Sequence, residues 1–267
     1  MPAEPVPDFR TTDAPPSPPA VLRPVTYDTL RSALQKGFED FRAEPGWGLF
    51  FGGAYVIGGF ILWAIALWIG NVGLMVPLAF AFPLIGPFAA IGLYEVSRRR
   101  ESGEPLGRAE VLGAVFRQRN GQIPFLGVVM LFMALVWIVL SRLTFAIFMG
   151  NHTMTNVFTS TGILFSFDGF FMVLVELAVG FSVAFLVYAI TVIGMPMLLD
   201  REVDFVTAMI TSFEVVTSNL RPMLAWAVLL AALLLVGLLP AFLGLFIVLP
   251  VLGHGTWHLY RSAVAAA

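Results

Sequence analysis

Four long stretches of the chain carry no charged residue: between Glu44 and Glu95, between Arg119 and Arg142, between Glu176 and Asp200, and between Arg221 and Arg261. A helix crosses the hydrocarbon of a bilayer with roughly 20 apolar residues at about 1.5 Å each, so the first and last stretches must fold back and cross twice. Gly70 and Asn71 divide the first stretch, and Gly237, Pro240 and Gly244 bracket the reversal in the last. The pattern predicts six spans, near 48–69, 72–95, 122–141, 170–198, 222–239 and 241–260. A seventh crossing over 143–167 is the competing reading. Its centre, Asn151-His-Thr-Met-Thr-Asn156, is too polar for a lipid-facing helix and predicts a loop, a re-entrant segment or a surface helix.

Before each odd-numbered span lies a segment with helical apolar spacing. The three are Tyr27, Leu30, Leu34, Phe38 and Phe41; Ala109, Leu112, Val115 and Phe116; and Val206, Met209, Phe213 and Val216. Each ends at helix-stopping residues: Pro45 and Gly46, then Asn120, Gly121 and Pro124, then Asn219 and Pro222. The expected fold is therefore all-α: a polytopic membrane protein of six transmembrane helices in three hairpins, each preceded by a cytoplasmic amphipathic helix. Residues 142–169 are an insertion confined to the middle copy, and insertions in repeats often mark added function.

Composition agrees with a lipid solvent, since 58% of residues are apolar and 12% charged, about half the charged share of an ordinary soluble domain. Of the fifteen Lys and Arg residues, fourteen fall on one side of this topology and only Arg142 on the other, which predicts that both termini are cytoplasmic. Residues 1–25, with eight prolines and no apolar period, read as a disordered tail; 26–261 form the membrane domain and 262–267 a short C-terminal tail. The first span reads as an uncleaved signal anchor. The absence of cysteine excludes disulfides and thiolate sites. A net charge of −2 and the lack of a basic face with stacking aromatics argue against nucleic-acid binding.

Three runs carry a family resemblance. Pro83-Leu-Ile-Gly-Pro-Phe-Ala-Ala-Ile-Gly-Leu-Tyr-Glu95, Met195-Pro-Met-Leu-Leu-Asp-Arg201 and Leu249-Pro-Val-Leu-Gly-His-Gly-Thr-Trp-His-Leu-Tyr-Arg261 resemble the integral membrane family called domain of unknown function 2189. The resemblance runs from about residue 27 to 261. It implies a bacterial inner-membrane protein and brings no established activity.

Three features carry candidate chemistry. His254 and His258 lie four residues apart on one helix face, a spacing that suits one metal ion or haem iron but lacks further ligands; the competing role is interfacial, capping final carbonyls or meeting lipid headgroups. Arg142 and Glu176, with Asp168 nearby, are placed by adjacent antiparallel spans to form an intramembrane ion pair, either a structural lock or the mouth of a proton or ion relay. The second loop is basic through Arg98, Arg99, Arg100, Arg108, Arg117 and Arg119, as topology alone requires, and would also attract anionic lipids. Pro83, Gly86, Pro87, Gly194, Pro196, Pro250 and Gly253 are candidate helix breaks, which in transporters point to a substrate site and elsewhere serve close packing.

No phosphate loop, nucleophile elbow or zinc-protease run is present. The expectation is a non-enzymatic protein without cofactor that joins or helps assemble a membrane complex, with the bilayer and other inner-membrane proteins as partners. The alternative is a small-solute transporter or channel with a path at Glu176 and the broken helix ends, and a third reading is a haem- or metal-binding component through His254 and His258.

Overall fold

The computed structural model describes residues 15–69, 82–150, 166–240 and 242–265. Apart from one isolated bridge between Leu22 and Val264, its regular structure is helical. Helix α1 (Tyr27–Ala43) starts at a capping box in which Thr26 and Thr29 bond each other's backbone N–H, with Asp28 and Arg42 at the ends their charges favour. It stops at Glu44 because Pro45 opens α2 (Pro45–Ile69), where a proline's missing N–H costs nothing. Then follow α3 (Phe82–Ser102), α4 (Arg108–Arg117), a 3₁₀ turn (Gln118–Asn120), α5 (Ile123–Met149), α6 (Phe167–Thr191), α7 (Gly194–Asp200), α8 (Phe205–Ser218), α9 (Leu220–Leu238) and α10 (Leu245–Ala263).

Four helical stretches are long and apolar enough to cross a membrane: Pro45–Ile65, Ile123–Met149, Phe167–Asp200 and Leu220–Leu238. They coincide with the expected first, third, fourth and fifth spans. Of the expected second span, 72–81 lies outside the described residues, and α3 carries Glu95, Arg98, Arg99 and Arg100 in its later turns. The expected sixth span corresponds to α10, whose second half carries His254, His258 and Arg261. Helix α5 runs eight residues beyond the expected end at 141, so Arg142 lies within it rather than at its outer end. The polar centre of the insertion, 151–165, lies outside the described residues.

The chain divides into two compact units, Met1–Val128 with Ala189–Ala267, and Val129–Tyr188. In the first unit α10 is the central helix, packed against α1, α2, α3 and α9. Helix α1 approaches it so closely at Gly37 that a Cβ there would sit 2.5 Å from the Gly255 nitrogen and 2.6 Å from the Val251 carbonyl oxygen. The reversal between α9 and α10 is equally tight, since a Cβ on Gly244 would lie 2.7 Å from Gly237 Cα. Small residues admit such backbone contacts where lipid supplies no hydrophobic drive. Trp226 and Trp257 fill the surrounding core with no exposure, and Phe51, Ala89, Leu93, Val96 and Val111 knit α2, α3 and α4.

Close approach also corrects the expected orientation of the amphipathic helices. Helix α1 buries Leu30, Ala33, Gly37 and Asp40, α4 buries Val111 and Ala114, and α8 buries Ala208, Thr211, Ser212, Val215 and Val216. Phe38, Phe116 and Phe213, read from spacing as part of each helix's apolar face, are exposed. The inner stripe holds mostly small side chains because the backbones nearly touch, so the large ones turn outward.

Within the Pro-rich leader expected to be disordered through residue 25, Ser17, Pro18, Val21, Arg23 and Val25 make backbone hydrogen bonds, and residues 1–14 lie outside the described residues. Arg23 N–H donates to the Ala263 carbonyl at 2.8 Å and Ala265 N–H to the Val21 carbonyl at 2.9 Å. The two ends of the membrane domain therefore lie side by side.

Candidate functional site

Asp40 occupies the last position of the buried stripe on α1, where a carboxylate needs partners to offset its lost hydration. Helices α3 and α10 supply them. Ser97 Oγ donates to Asp40 Oδ2 at 2.6 Å, His258 Nε2 donates to the same oxygen at 2.8 Å, and Arg100 Nε donates to Oδ1 at 2.8 Å. An ionised carboxylate only accepts, and the single hydroxyl proton of Ser97 is committed to it, so the 2.8 Å contact between Ser97 Oγ and His254 Nδ1 has the imidazole as donor. His254 is thereby fixed as the Nδ1–H tautomer. Its Nε2 is buried with no hydrogen-bond partner among the described residues. Burial alone would raise the pKa of Asp40, but the bonds and charge of His258, Ser97 and Arg100 outweigh it and hold the pKa down to about 2.

A second layer surrounds this cluster. Trp257 Nε1 and Arg261 both donate to Glu101, while Tyr260 OH and Arg261 meet Asp200 at 2.7 and 3.2 Å. Glu95, almost fully buried, pairs with Arg98 at 2.8 Å and Arg99 at 2.6 Å, and Glu104 pairs with Arg98. Arg98, Arg99 and Arg100 of the expected basic loop are thus spent on carboxylates of the same end of the unit. The cluster ties α1, α3 and α10 together; Ser97 and His254 have no exposure, which denies a substrate access to the hydroxyl. As for metal, Ser97 and Asp40 engage one nitrogen of each imidazole, and among the described residues no three His, Asp or Glu side chains converge as a ligand set.

The other expected pair lies in the second unit. Helices α5 and α6 run antiparallel, with Trp137 beside Gly180 and Ser141 hydrogen-bonded to Glu176. Among the described residues no ion pair joins Glu176 to Arg142. One residue along a helix is a turn of about 100°, so placing Ser141 on the seam points Arg142 away from it. Arg142 is exposed and has no partner among the described residues. Ser141, Phe145, Met172, Val173, Glu176 and Leu177 line an open groove of about 310 Å³ along this seam. Asp168 lies in the first turn of α6.

Of the candidate breaks, Pro83, Gly86 and Pro87 fall in the first turns of α3, and their side-chain surroundings lie outside the described residues. Pro250 sits inside α10 without interrupting it, with Gly48 and Gly52 of α2 beside its ring, and Gly253 lies against Leu93. Gly194 and Pro196 are buried in α7. The chain does break just before them, at Val192 and Ile193, and a residue not singled out from sequence accounts for it. Ser212 accepts from Ile193 N–H at 3.1 Å and donates to the Ala189 carbonyl at 2.7 Å, inserting its hydroxyl where a helix would join those two groups directly. Asp40 was equally unsignalled as a site residue. Its spacing from Leu30, Ala33 and Gly37 is the one sequence feature that places it on the inner face.

No curated protein and no solved structure matches the chain. The first and second of the three runs that carry the family resemblance, up to Asp200, fall within a match to a family model, and the Leu249–Arg261 run lies beyond it. Residues 75–200 match the family described as predicted integral membrane protein (DUF2189), and with four helices apolar enough to cross a bilayer the chain is an integral membrane protein.

Proposed function

We propose that this is a non-enzymatic protein of the bacterial inner membrane that assembles with other membrane-embedded chains through its α5–α6 hairpin. The observation that carries this reading is Glu176. It lies ten residues into the apolar helix α6, most of whose side chains are exposed, with Ser141 as its partner and no cation paired to it among the described residues. A charged side chain at membrane depth costs at least about 2.5 kcal/mol on insertion scales, and such residues characteristically face a protein partner. The groove around it is lined by Phe145, Met172, Val173 and Leu177, an apolar surface that a side chain of a neighbouring membrane helix can enter. A polar path for a small solute would call for more than one carboxylate and one hydroxyl. The freed groups at the 192–193 break are also already satisfied by Ser212, so the transport reading has less support.

Six spans in three hairpins with both termini in the cytoplasm complete the proposal. The isolated bridge between Leu22 and Val264 supports ends that share a side. The repeat is supported by Phe38, Phe116 and Phe213, each exposed and each seven residues before the next helix opens at Pro45, Ile123 and Leu220. At the headgroup level such aromatic rings anchor an interfacial helix. A photo-crosslinking amino acid placed at Phe145 in intact membranes tests the assembly reading. Protein adducts that disappear with Glu176→Ala are expected, and adducts to lipid alone would count against it.

A further inference from the structure

We infer that the partner of the α5–α6 groove is a second copy of this chain, and that Arg142 of each copy enters the groove of the other to pair with Glu176. The inference rests on the reading of this hairpin as an interaction surface and adds the identity of the occupant. Arg142 and Glu176 are opposite charges on one hairpin, each without an ionic partner among the described residues. Ser141 sits beside Glu176 and Arg142 follows it by one helical position, about 1.5 Å along the axis, so the cation and the carboxylate lie at the same depth.

Depth matters because every copy inserts the same way up. Two such copies can relate by a two-fold axis only if that axis runs along the membrane normal, and such a rotation preserves depth. The level of Arg142 in one copy is then the level of Glu176 in the other, and an isologous contact forms the pair twice. Arg142 cannot serve its own Glu176 without turning about 100° around α5, and the seam already holds Ser141 there. The groove, about 310 Å³, is at the small end of ligand pockets, a size for a side chain rather than for a bulky ligand. A guanidinium suits it, being weakly hydrated and able to bond the remaining carboxylate oxygen while Ser141 keeps the first.

Two copies bearing different affinity tags, expressed together and extracted in mild detergent, are purified on one tag and weighed by native mass spectrometry. A dimer carrying both tags is expected. Arg142→Glu and Glu176→Arg should each lower dimer recovery at least tenfold, and the two changes combined in one chain should restore it. Helicity and a cooperative thermal transition check that each variant folds; should a reversed charge prevent folding, Arg142→Gln and Glu176→Gln remove attraction without adding repulsion and should still reduce the dimer. A dimer indifferent to these changes overturns the inference, as does failure of the double reversal to rescue dissociated single variants. A wild-type monomer also overturns it; if position 145 nevertheless crosslinks to a different protein, the assembly reading stands and only the second copy is lost.

Discussion

Replacing Asp40 removes a group on which three helices converge. In Asp40→Ala, Ser97 and His258 lose their acceptor while staying buried, their side chains being 0% and 12% exposed. Bonds to a charged group contribute about 1.5–3 kcal/mol each, and leaving a buried donor bare costs about 1–3 kcal/mol. Arg100, about a third exposed, adds less than about 1 kcal/mol because water takes over its partner's role. These contributions overlap, so the expected loss is about 3 kcal/mol, near the low end for breaking a buried ion pair. Asp40→Asn keeps an acceptor of the same shape and should cost about half as much. Thermal unfolding in mild detergent followed by circular dichroism reads both, with a fall of roughly 6–12 °C for the alanine variant. A loss below about 1 kcal/mol for Asp40→Ala, or an Asn variant less stable than the Ala variant, would refute the claim that this carboxylate holds α1 to α3 and α10.

The same carboxylate sets a pH dependence. Its folded pKa of about 2 lies below the ordinary value of 3.8, so its stabilisation is present above pH 4 and fades as pH falls toward 2. At about 1.4 kcal/mol per unit, reduced for the water reaching the edge of the cluster, the loss is about 1–2 kcal/mol. Unfolding titrations of Asp40→Asn should lack that component. Gly37→Ala drives a methyl into the α10 backbone, and a destabilisation of about 1–3 kcal/mol is expected, whereas Gly58→Ala, with open space around it, should be neutral or mildly stabilising; chemical denaturation compares the two. Ser212→Ala strands the Ile193 N–H and the Ala189 carbonyl and should cost about 2 kcal/mol, with faster amide exchange at Ile193 as the local readout.

Four of the six expected spans were legible because bilayer thickness writes itself into apolar length. Pro45, Gly237 and Gly244 mark helix boundaries where local chemistry demands them. The amphipathic helices were legible as elements but not in orientation: spacing selects a face, and which face turns inward at Gly37 depends on Gly255 of a helix more than 200 residues away. The two histidines stood out as residue types on one face. Their partners did not, since Asp40 meets His258 across 218 positions and Ser97 meets His254 across 157, and nothing local in either segment encodes the meeting. Arg142 and Glu176 were legible as unusual charges. A one-residue difference in helix phase decided that Ser141 takes the seam, a distinction finer than span boundaries read from sequence.

The most direct test of assembly through the hairpin is energy transfer between donor- and acceptor-labelled copies in lipid vesicles, followed as lipid is added. Transfer should persist on dilution for the wild type and for the chain carrying both Arg142→Glu and Glu176→Arg, and fall to the level of chance encounters for either change alone. Transfer at the chance level in the wild type itself would contradict the account.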